Sequence, residues 1–312
     1  MQIEKEERNN MKFQVSPAPH KVSGQTANDM YFIMSIALIS CLTMGFIHYG
    51  ANALLILAAT LLTAVACEML FNLIKTRKFD YPHLSSIVTG LMLACIVPVN
   101  MPWYLGIVAA VIAIGSKYLF GGIGNNLFNP AALGRSIVGC MSLGMSFEFF
   151  GENKTVLNAI LTDDKASLEL SKMFFGDVSG AIGTTCVLFI LFAVVALVIL
   201  GVIRWESIVF ALLSFCGMIW ILMGFENILP MLLSGSFLFV VVFMLGDPTS
   251  SPYTFSGRCV YAIVFGVTAS LMMRFNIFGE TAVFFALLIA NMIAPMTDRA
   301  FSIFHRGVKL HD

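Results

Sequence analysis

Ten long apolar segments determine most of what this chain can fold into. A helix needs about 20 mainly apolar residues to cross a bilayer, and it satisfies its own backbone polar groups there. The sequence therefore predicts an all-α, polytopic membrane protein with about ten transmembrane helices. These cover about residues 30–47, 51–74, 83–98, 103–120, 131–147, 181–203, 206–223, 228–246, 258–275 and 280–296.

The composition agrees with a lipid-facing surface. Only 12% of the 312 residues are charged and 58% are hydrophobic, whereas soluble domains carry about 25% charged residues. The formal net charge is zero, which gives no basic footprint for nucleic acid. The seven cysteines are too far apart for a Cys-x-x-Cys pair, so we predict no metal site within this chain.

The distribution of Lys and Arg predicts the orientation. With the N-terminus inside, 14 of the 18 basic residues lie on the cytoplasmic side and four lie outside, as the positive-inside rule requires. Both termini are then cytoplasmic. This topology divides the chain into an N-terminal arm, a first membrane half, an outer loop, a second membrane half and a tail, at residues 1–28, 29–147, 148–180, 181–298 and 299–312.

Two of the predicted spans are short and contain small or polar residues. The third includes Ser85, Ser86 and Thr89, and the fifth includes Gly134 and Ser136. Irregular backbone at membrane depth needs partners inside the protein. We expect these spans to pack against other helices or to line a cavity, and either could be a pair of half-helices.

Two polar loops on the predicted inner side are the most informative feature. Residues 120–135 and 246–258 are rich in Gly, Asn and Pro, and both end in Gly-Arg at the start of a helix. The amides of Asn125, Asn126 and Asn129 each donate and accept hydrogen bonds, which suits a planar heterocycle of alternating polarity. The alternative is that these loops are tight turns with asparagine caps.

A few ionisable residues lie in or beside the apolar segments. Glu68 is inside the second span, Asp247 follows the eighth, and Asp298-Arg299 closes the tenth. A carboxylate in the bilayer is costly and often functional, for example in an ion path. Glu68 could equally face the inner interface, and Asp298-Arg299 is typical of an ion pair at a helix end.

Four sequence blocks carry a resemblance to a known family. They are Val15-Ser-Pro-Ala-Pro-His20; Ser86 to Ala94 with Pro98 and Pro102-Trp103; Phe120 to Arg135; and Gly235 to Arg258 with Asn291 and Pro295 to Arg299. The chain resembles the D subunit of Rnf complexes, which are membrane ferredoxin:NAD⁺ oxidoreductases coupled to Na⁺ or H⁺ transport. The wider family includes the B subunit of Na⁺-translocating NADH:quinone reductase.

The resemblance implies a ten-helix fold similar to ammonium and urea channels, with two flavins. One is FMN joined through its phosphate to a threonine of the outer loop, and the other is non-covalent riboflavin near the inner face. Asn126 and Asn129 match the asparagines beside the riboflavin. The family's Ser/Thr-Gly-Ala-Thr motif is missing, and by position Thr155 is the candidate for FMN, with Thr162 and Thr184 as weaker ones.

The resemblance further implies a multi-pass subunit of the cell inner (plasma) membrane that acts only within its complex. Its partners would be a flavin-bearing outer subunit, iron–sulfur subunits and an NADH-binding subunit. Electrons would pass between ferredoxin and NAD⁺, coupled to Na⁺ or H⁺ translocation. The alternative function is a channel or secondary transporter for a small solute, since interrupted helices are also typical of transporters.

Overall fold

The computed structural model describes the greater part of the chain. Within the described ranges every element is helical, apart from one isolated antiparallel bridge between Pro98 and Ala181. The all-α prediction is therefore confirmed for this part of the protein. The described residues are 26–77, 83–98, 100–120, 126–143, 156–162, 169–176, 178, 180–234, 236–247 and 249–308.

Each of the ten predicted apolar segments contains a helix. Short helices lie in the predicted outer loop as well. In chain order the helices are α1 (Ala27–Tyr49), α2 (Ala51–Thr76), α3 (Leu84–Ile96), α4 (Trp103–Leu119), α5 (Pro130–Leu143), α6 (Val156–Leu161), α7 (Leu170–Phe175), α8 (Val187–Ile199), α9 (Trp205–Met223), α10 (Ile228–Leu233), α11 (Ser236–Phe239), α12 (Phe255–Arg274) and α13 (Ala282–Val308).

Several of these helices have the length and apolar character of membrane spans. Among the described residues, α1, α2, α9, α12 and the segment Gly279–Phe301 qualify alone, and a bent pair in the eighth apolar segment would make a sixth. Helices α3, α4 and α8 are apolar but shorter. The chain is thus a polytopic membrane protein, whereas the count of ten crossings and the orientation of the termini stay predictions.

The helices pack in two groups that follow the two halves of the chain. In the first group α2 packs against α3 and α4, and α4 packs against α5. In the second group α12 lies between α9 and α13. Contacts of α1 with α8 and of α5 with α13 join the groups, so one apolar core runs through both halves.

Two of the helices are interrupted, and their unwound ends pair inside the bundle. After α3 ends at Ile96, the Gly183 amide donates to the Cys95 carbonyl at 2.8 Å, and the Ile182 amide donates to the Val97 carbonyl at 3.4 Å. The third span is thus short, as its polar residues indicated. The predicted helix over 181–203 was too long. The observed helix begins only at Val187, because Ala181–Gly183 pairs with the end of α3 instead.

The eighth apolar segment, predicted as a span over 228–246, is bent in the structure, and whether it crosses the membrane stays a prediction. The helical segments Phe225–Leu233 and Ser236–Leu245 meet at a bend of 64°, and the second continues from α11 as a π-helix over Val240–Leu245. The π-helix is wholly buried. The uniformly apolar sequence of Val240–Leu245 gives no hydropathy signal for a π-helix, whereas Ser234-Gly235-Ser236 does mark the bend in the sequence. π-Helical turns are frequent at functional sites.

Helices α9 and α12 approach so closely that one glycine is required between them. A Cβ atom at Gly266 would overlap the Ser214 hydroxyl and lie 2.7 Å from the Ala211 carbonyl oxygen. We expect Gly266→Ala to destabilise the protein by about 1–3 kcal/mol, the usual cost of overpacking. Thermal unfolding of the detergent-solubilised protein, followed by size-exclusion chromatography, measures this.

Gly217 provides the matched control on the facing helix. It also lies inside a long helix, α9, but nothing is within 4 Å of a Cβ atom built there. We expect Gly217→Ala to be neutral or stabilising by up to about 1 kcal/mol, because alanine loses less backbone entropy in a helix. Equal changes in stability for Gly266→Ala and Gly217→Ala would contradict the close packing of α9 against α12.

Candidate functional site

A polar pocket lies at the end of the bundle where α1, α3 and α5 begin and α4 ends. Its empty space is about 320 Å³, including the part open at its mouth. Both predicted inner loops contribute to it. The pocket is lined by Tyr31, Met34, Ser85, Val88, Thr89, Met92, Lys117, Asn126, Asn129, Pro130, Asp247 and Thr249.

Asn129 is held in place by the start of α5. Its side-chain oxygen Oδ1 accepts hydrogen bonds from the amides of Ala131 at 3.1 Å and Ala132 at 3.2 Å, as an N-cap residue does. Pro130 occupies the first helical position, where its missing amide hydrogen costs nothing. The prediction of an asparagine cap is therefore confirmed for the side-chain oxygen of Asn129.

One side-chain polar atom of each pocket asparagine has no hydrogen-bond partner among the described residues. Asn129 Nδ2 and Asn126 Oδ1 are both buried and unbonded among the described residues. A buried polar group without a partner is unusual and points to a missing water, ion or ligand. Together they offer one donor and one acceptor to whatever occupies the pocket.

Lys117 brings a buried positive charge to the same pocket. It lies in the last turn of α4 and its side chain is nearly inaccessible, at 3% exposure for the residue. Its ammonium Nζ donates to the Ser85 carbonyl at 3.0 Å and to the Ser85 hydroxyl at 2.9 Å. Both acceptors belong to Ser85 in the first turn of α3.

Asp247 supplies the opposite charge. Its carboxylate accepts hydrogen bonds from the Thr249 amide at 3.3 Å and from the Thr249 hydroxyl at 2.9 Å. Burial raises the pKa of this carboxyl, while the Thr249 hydrogen bonds and the Lys117 charge oppose that rise. The pocket thus holds an acid that binds a proton more readily than an exposed aspartate.

Glu68 lies beside the pocket rather than in its lining. The carboxylate is buried and its Oε2 accepts the backbone amide of His83 at 3.0 Å, immediately before α3. This contact stabilises the start of α3, where amide groups lack helical partners. Whether Glu68 faces the inner interface or belongs to an ion path stays a prediction.

The first Gly-Arg pair has a structural role. Gly134 packs against α4, where a Cβ atom would overlap the Ala109 carbonyl oxygen. The Arg135 Nε donates to the Ile96 carbonyl at 3.0 Å, and its guanidinium lies 5.7 Å from the Phe284 ring centre. Arg135 therefore caps the C-terminal end of α3, where its positive charge interacts favourably with the negative end of the helix dipole.

The second Gly-Arg pair is also structural. Arg258 Nη1 donates to the Tyr253 carbonyl at 2.7 Å, and Nη2 lies 3.5 Å from Glu206 Oε1 on α9. Neither arginine lines the pocket. The carboxylate of Asp298 accepts the backbone amides of Tyr253 and Thr254, so it joins the second loop to α13.

The candidate threonines differ in accessibility. Thr155 lies outside the described residues. Thr162 is exposed and its hydroxyl donates to the Asn158 carbonyl at 2.8 Å. Thr184 is only 1% exposed, inside the bundle, so a phosphoester there would require repacking of the core.

A second pocket lies at the opposite end of the bundle. It is formed where α12 ends and α13 begins, and Leu157 of α6 contributes to it. Its remaining lining residues are Ser234, Ser236, Met273, Gly279, Glu280 and Val283. The predicted outer loop therefore meets the membrane helices at a recess, two residues after Thr155.

Sequence reasoning identified some of the pocket residues and missed others. It selected Asn126, Asn129 and Asp247, and it expected the polar third span to line a cavity. It missed Lys117 and Tyr31, which lie in apolar helices far apart in the chain. A lone lysine in the last turn of a predicted span was the available signal, but a lysine there usually reaches the interface.

Comparison with known proteins identifies the family. The chain belongs to the NQR2, RnfD, RnfE family, whose model matches residues 14–304. It is 28% identical over 303 residues to the D subunit of the Na⁺-translocating ferredoxin:NAD⁺ oxidoreductase complex of Acetobacterium woodii, covering 93% of this chain and 94% of that protein. The family resemblance seen in the sequence is confirmed.

Two further relatives are also similar to this chain. The D subunit of the proton-translocating ferredoxin:NAD⁺ oxidoreductase complex of Clostridium ljungdahlii is 23% identical over 312 residues, with 92% of this chain and 94% of that protein covered. The B subunit of the Na⁺-translocating NADH-quinone reductase of Chromohalobacter salexigens is 30% identical over 238 residues, covering 69% and 57% respectively. All three are named as subunits of ion-translocating oxidoreductases.

Proposed function

We propose that this chain is the flavin-carrying membrane subunit of an Rnf-type complex in the cell inner membrane. It would pass electrons between ferredoxin and NAD⁺ together with its partner subunits, coupled to Na⁺ or H⁺ translocation. The observation that carries the proposal is the polar pocket with the unbonded amide atoms of Asn126 and Asn129. Family membership supports the complex to which the chain is assigned.

The residues of the pocket fit the ring of a non-covalent riboflavin. Asn129 Nδ2 can donate to a ring carbonyl or nitrogen, and Asn126 Oδ1 can accept from a ring N–H. Met34, Val88 and Met92 provide apolar surface for the flat faces of a ring. Riboflavin would supply electron acceptance and release, while the protein fixes its position and surroundings.

The second flavin would be FMN on the opposite side, joined to Thr155. The recess beside α6 lies at that end of the bundle, so the two flavins would define a path from one end to the other. A flavin-bearing outer subunit and iron–sulfur subunits would exchange electrons with these sites. The NADH-binding subunit would complete the route outside this chain.

Changing Thr155 to alanine should abolish covalent flavin on this chain. The phosphoester requires a hydroxyl group, and the other candidates fit less well, since Thr184 is buried. Fluorescence of the chain in a denaturing gel, with the mass of the peptide that contains Thr155, measures the result. We expect complete loss of fluorescence and no added FMN mass.

Thr162→Ala is the matched control because Thr162 is an exposed threonine near the end of α6. It should leave the covalent FMN in place. Loss of FMN in Thr162→Ala but not in Thr155→Ala would overturn the assignment of Thr155. FMN on neither threonine would remove the outer flavin from the proposal and leave the inner pocket as its basis.

The interrupted helices α3 and α8 are the observation that favours the alternative, a channel or secondary transporter. Transporters also place unwound backbone at a central site. Here the unwound segments bond to each other instead of surrounding a cavity. Solute uptake by the purified chain alone in liposomes would support the alternative, and we expect none.

A further inference from the structure

The buried ammonium group of Lys117 is the feature of the pocket whose role remains open. A lysine that only reached the interface would be largely exposed, whereas this residue is 3% exposed. Two of its three N–H groups are bonded to Ser85. The third has no partner among the described residues, so it is available to a molecule in the pocket.

Two acidic groups lie near the ammonium group of Lys117. Glu68 and Asp247 lie within electrostatic reach of its ammonium group, and a buried charge persists only where opposite charge or hydrogen bonds compensate for lost water. Asp247 and Lys117 line the same pocket, whereas Glu68 on α2 is outside its lining and accepts the backbone amide that precedes α3. The lysine is thus the one cation in the pocket lining that the structure describes.

We propose that Lys117 is a positioning and tuning residue that raises the reduction potential of the inner flavin. This inference rests on the proposed function. If a reduced iron–sulfur or flavin partner supplied two electrons to a ring bound here and one proton were taken up, the ring would carry one net negative charge. A fixed cation in a site of low dielectric constant stabilises that charge strongly.

Loss of the cation should make the ring harder to reduce. With Lys117→Gln the two carboxylates would stay near the ring and no positive charge would oppose them. We expect the midpoint potential of the non-covalent flavin to fall. A tenfold weaker preference for the reduced ring corresponds to about 30 mV for a two-electron couple, and we expect at least that shift.

The test is spectroelectrochemical titration of the purified complex that carries Lys117→Gln, with flavin content measured in parallel. Lys117→Arg keeps the charge and should keep the potential near that of the unchanged protein. Lys75→Gln is the matched control: it makes the same change in net charge in the last turn of α2, at the same end of the bundle, but its side chain is exposed. It should shift the potential little.

Two results would overturn the inference. One is an unchanged potential in Lys117→Gln with the flavin still bound. The other is loss of the flavin from both Lys117→Gln and Lys117→Arg in an assembled complex, which would mean that the lysine maintains the shape of the pocket. Absence of non-covalent flavin from the unchanged protein would instead overturn the proposed function, so the two failures are distinguishable.

Discussion

Replacing Arg258 with methionine should destabilise the protein by about 3–5 kcal/mol, the usual cost of leaving one buried charge without its partner. Arg258 and Glu206 join α12 to α9, and both side chains are about 90% buried. With methionine in place, the Glu206 carboxylate would lose its cation and the Tyr253 carbonyl would lose a hydrogen bond. Thermal unfolding of the solubilised protein measures the effect.

Two controls separate charge pairing from loss of packing. The double change Arg258→Met with Glu206→Gln removes both charges and should recover part of the stability, since no uncompensated carboxylate remains. Arg204→Met alters an exposed arginine immediately before α9 and should change stability by no more than about 0.5 kcal/mol. Equal stability of the unchanged and Arg258→Met proteins would refute a structural role for the second Gly-Arg pair.

Changing either pocket asparagine should weaken retention of the non-covalent flavin. Asn126→Ala removes the unbonded acceptor, and Asn129→Ser removes the unbonded donor while its hydroxyl can still cap α5. Leaving a buried ring atom without its hydrogen bond costs about 1–3 kcal/mol, or a Kd about 5- to 150-fold higher. Flavin released by denaturing the washed complex, separated by chromatography, measures retention.

The serine and alanine variants at position 129 distinguish binding from folding. Asn129→Ala removes the helix cap as well and should also lower thermal stability, by about 1 kcal/mol. Asn52→Ala changes an exposed asparagine in the first turn of α2 and should affect neither flavin nor stability. If Asn126→Ala and Asn129→Ser both kept the full flavin content, the pocket would not be the inner flavin site.

The apolar segments predicted where helices form, but not where they break. The run Val240–Leu245 is uniformly apolar, so its hydropathy does not distinguish a π-helix from an α-helix. The bend before Ser236 had a signal that the prediction did not use, since Ser234-Gly235-Ser236 interrupts the apolar segment. The late start of α8 follows from pairing of Ala181–Gly183 with the end of α3. That pairing joins residues more than 80 positions apart, which periodicity cannot report.

The candidate site was predictable to the extent that its residues are unusual for a membrane helix or loop. Asn126 and Asn129 stood out by composition, and their family match gave them a role. Lys117 did not stand out, because only its contacts with Ser85 and the nearby Asp247 mark it as a pocket residue. The packing of α3, α4 and the second loop brings these residues together. The Gly-Arg pairs showed the reverse: a repeated motif suggested a ligand site, whereas both arginines secure helix ends.

Native mass spectrometry of the purified complex tests whether this chain carries two flavins. Under conditions that expel this chain with its bound molecules, we expect the chain mass plus one covalent FMN and one riboflavin. The riboflavin should be absent from the Asn126→Ala and Asn129→Ser double variant, while the FMN remains. A complex that transfers electrons from ferredoxin to NAD⁺ with this chain free of any flavin would contradict a flavin-carrying role for this chain.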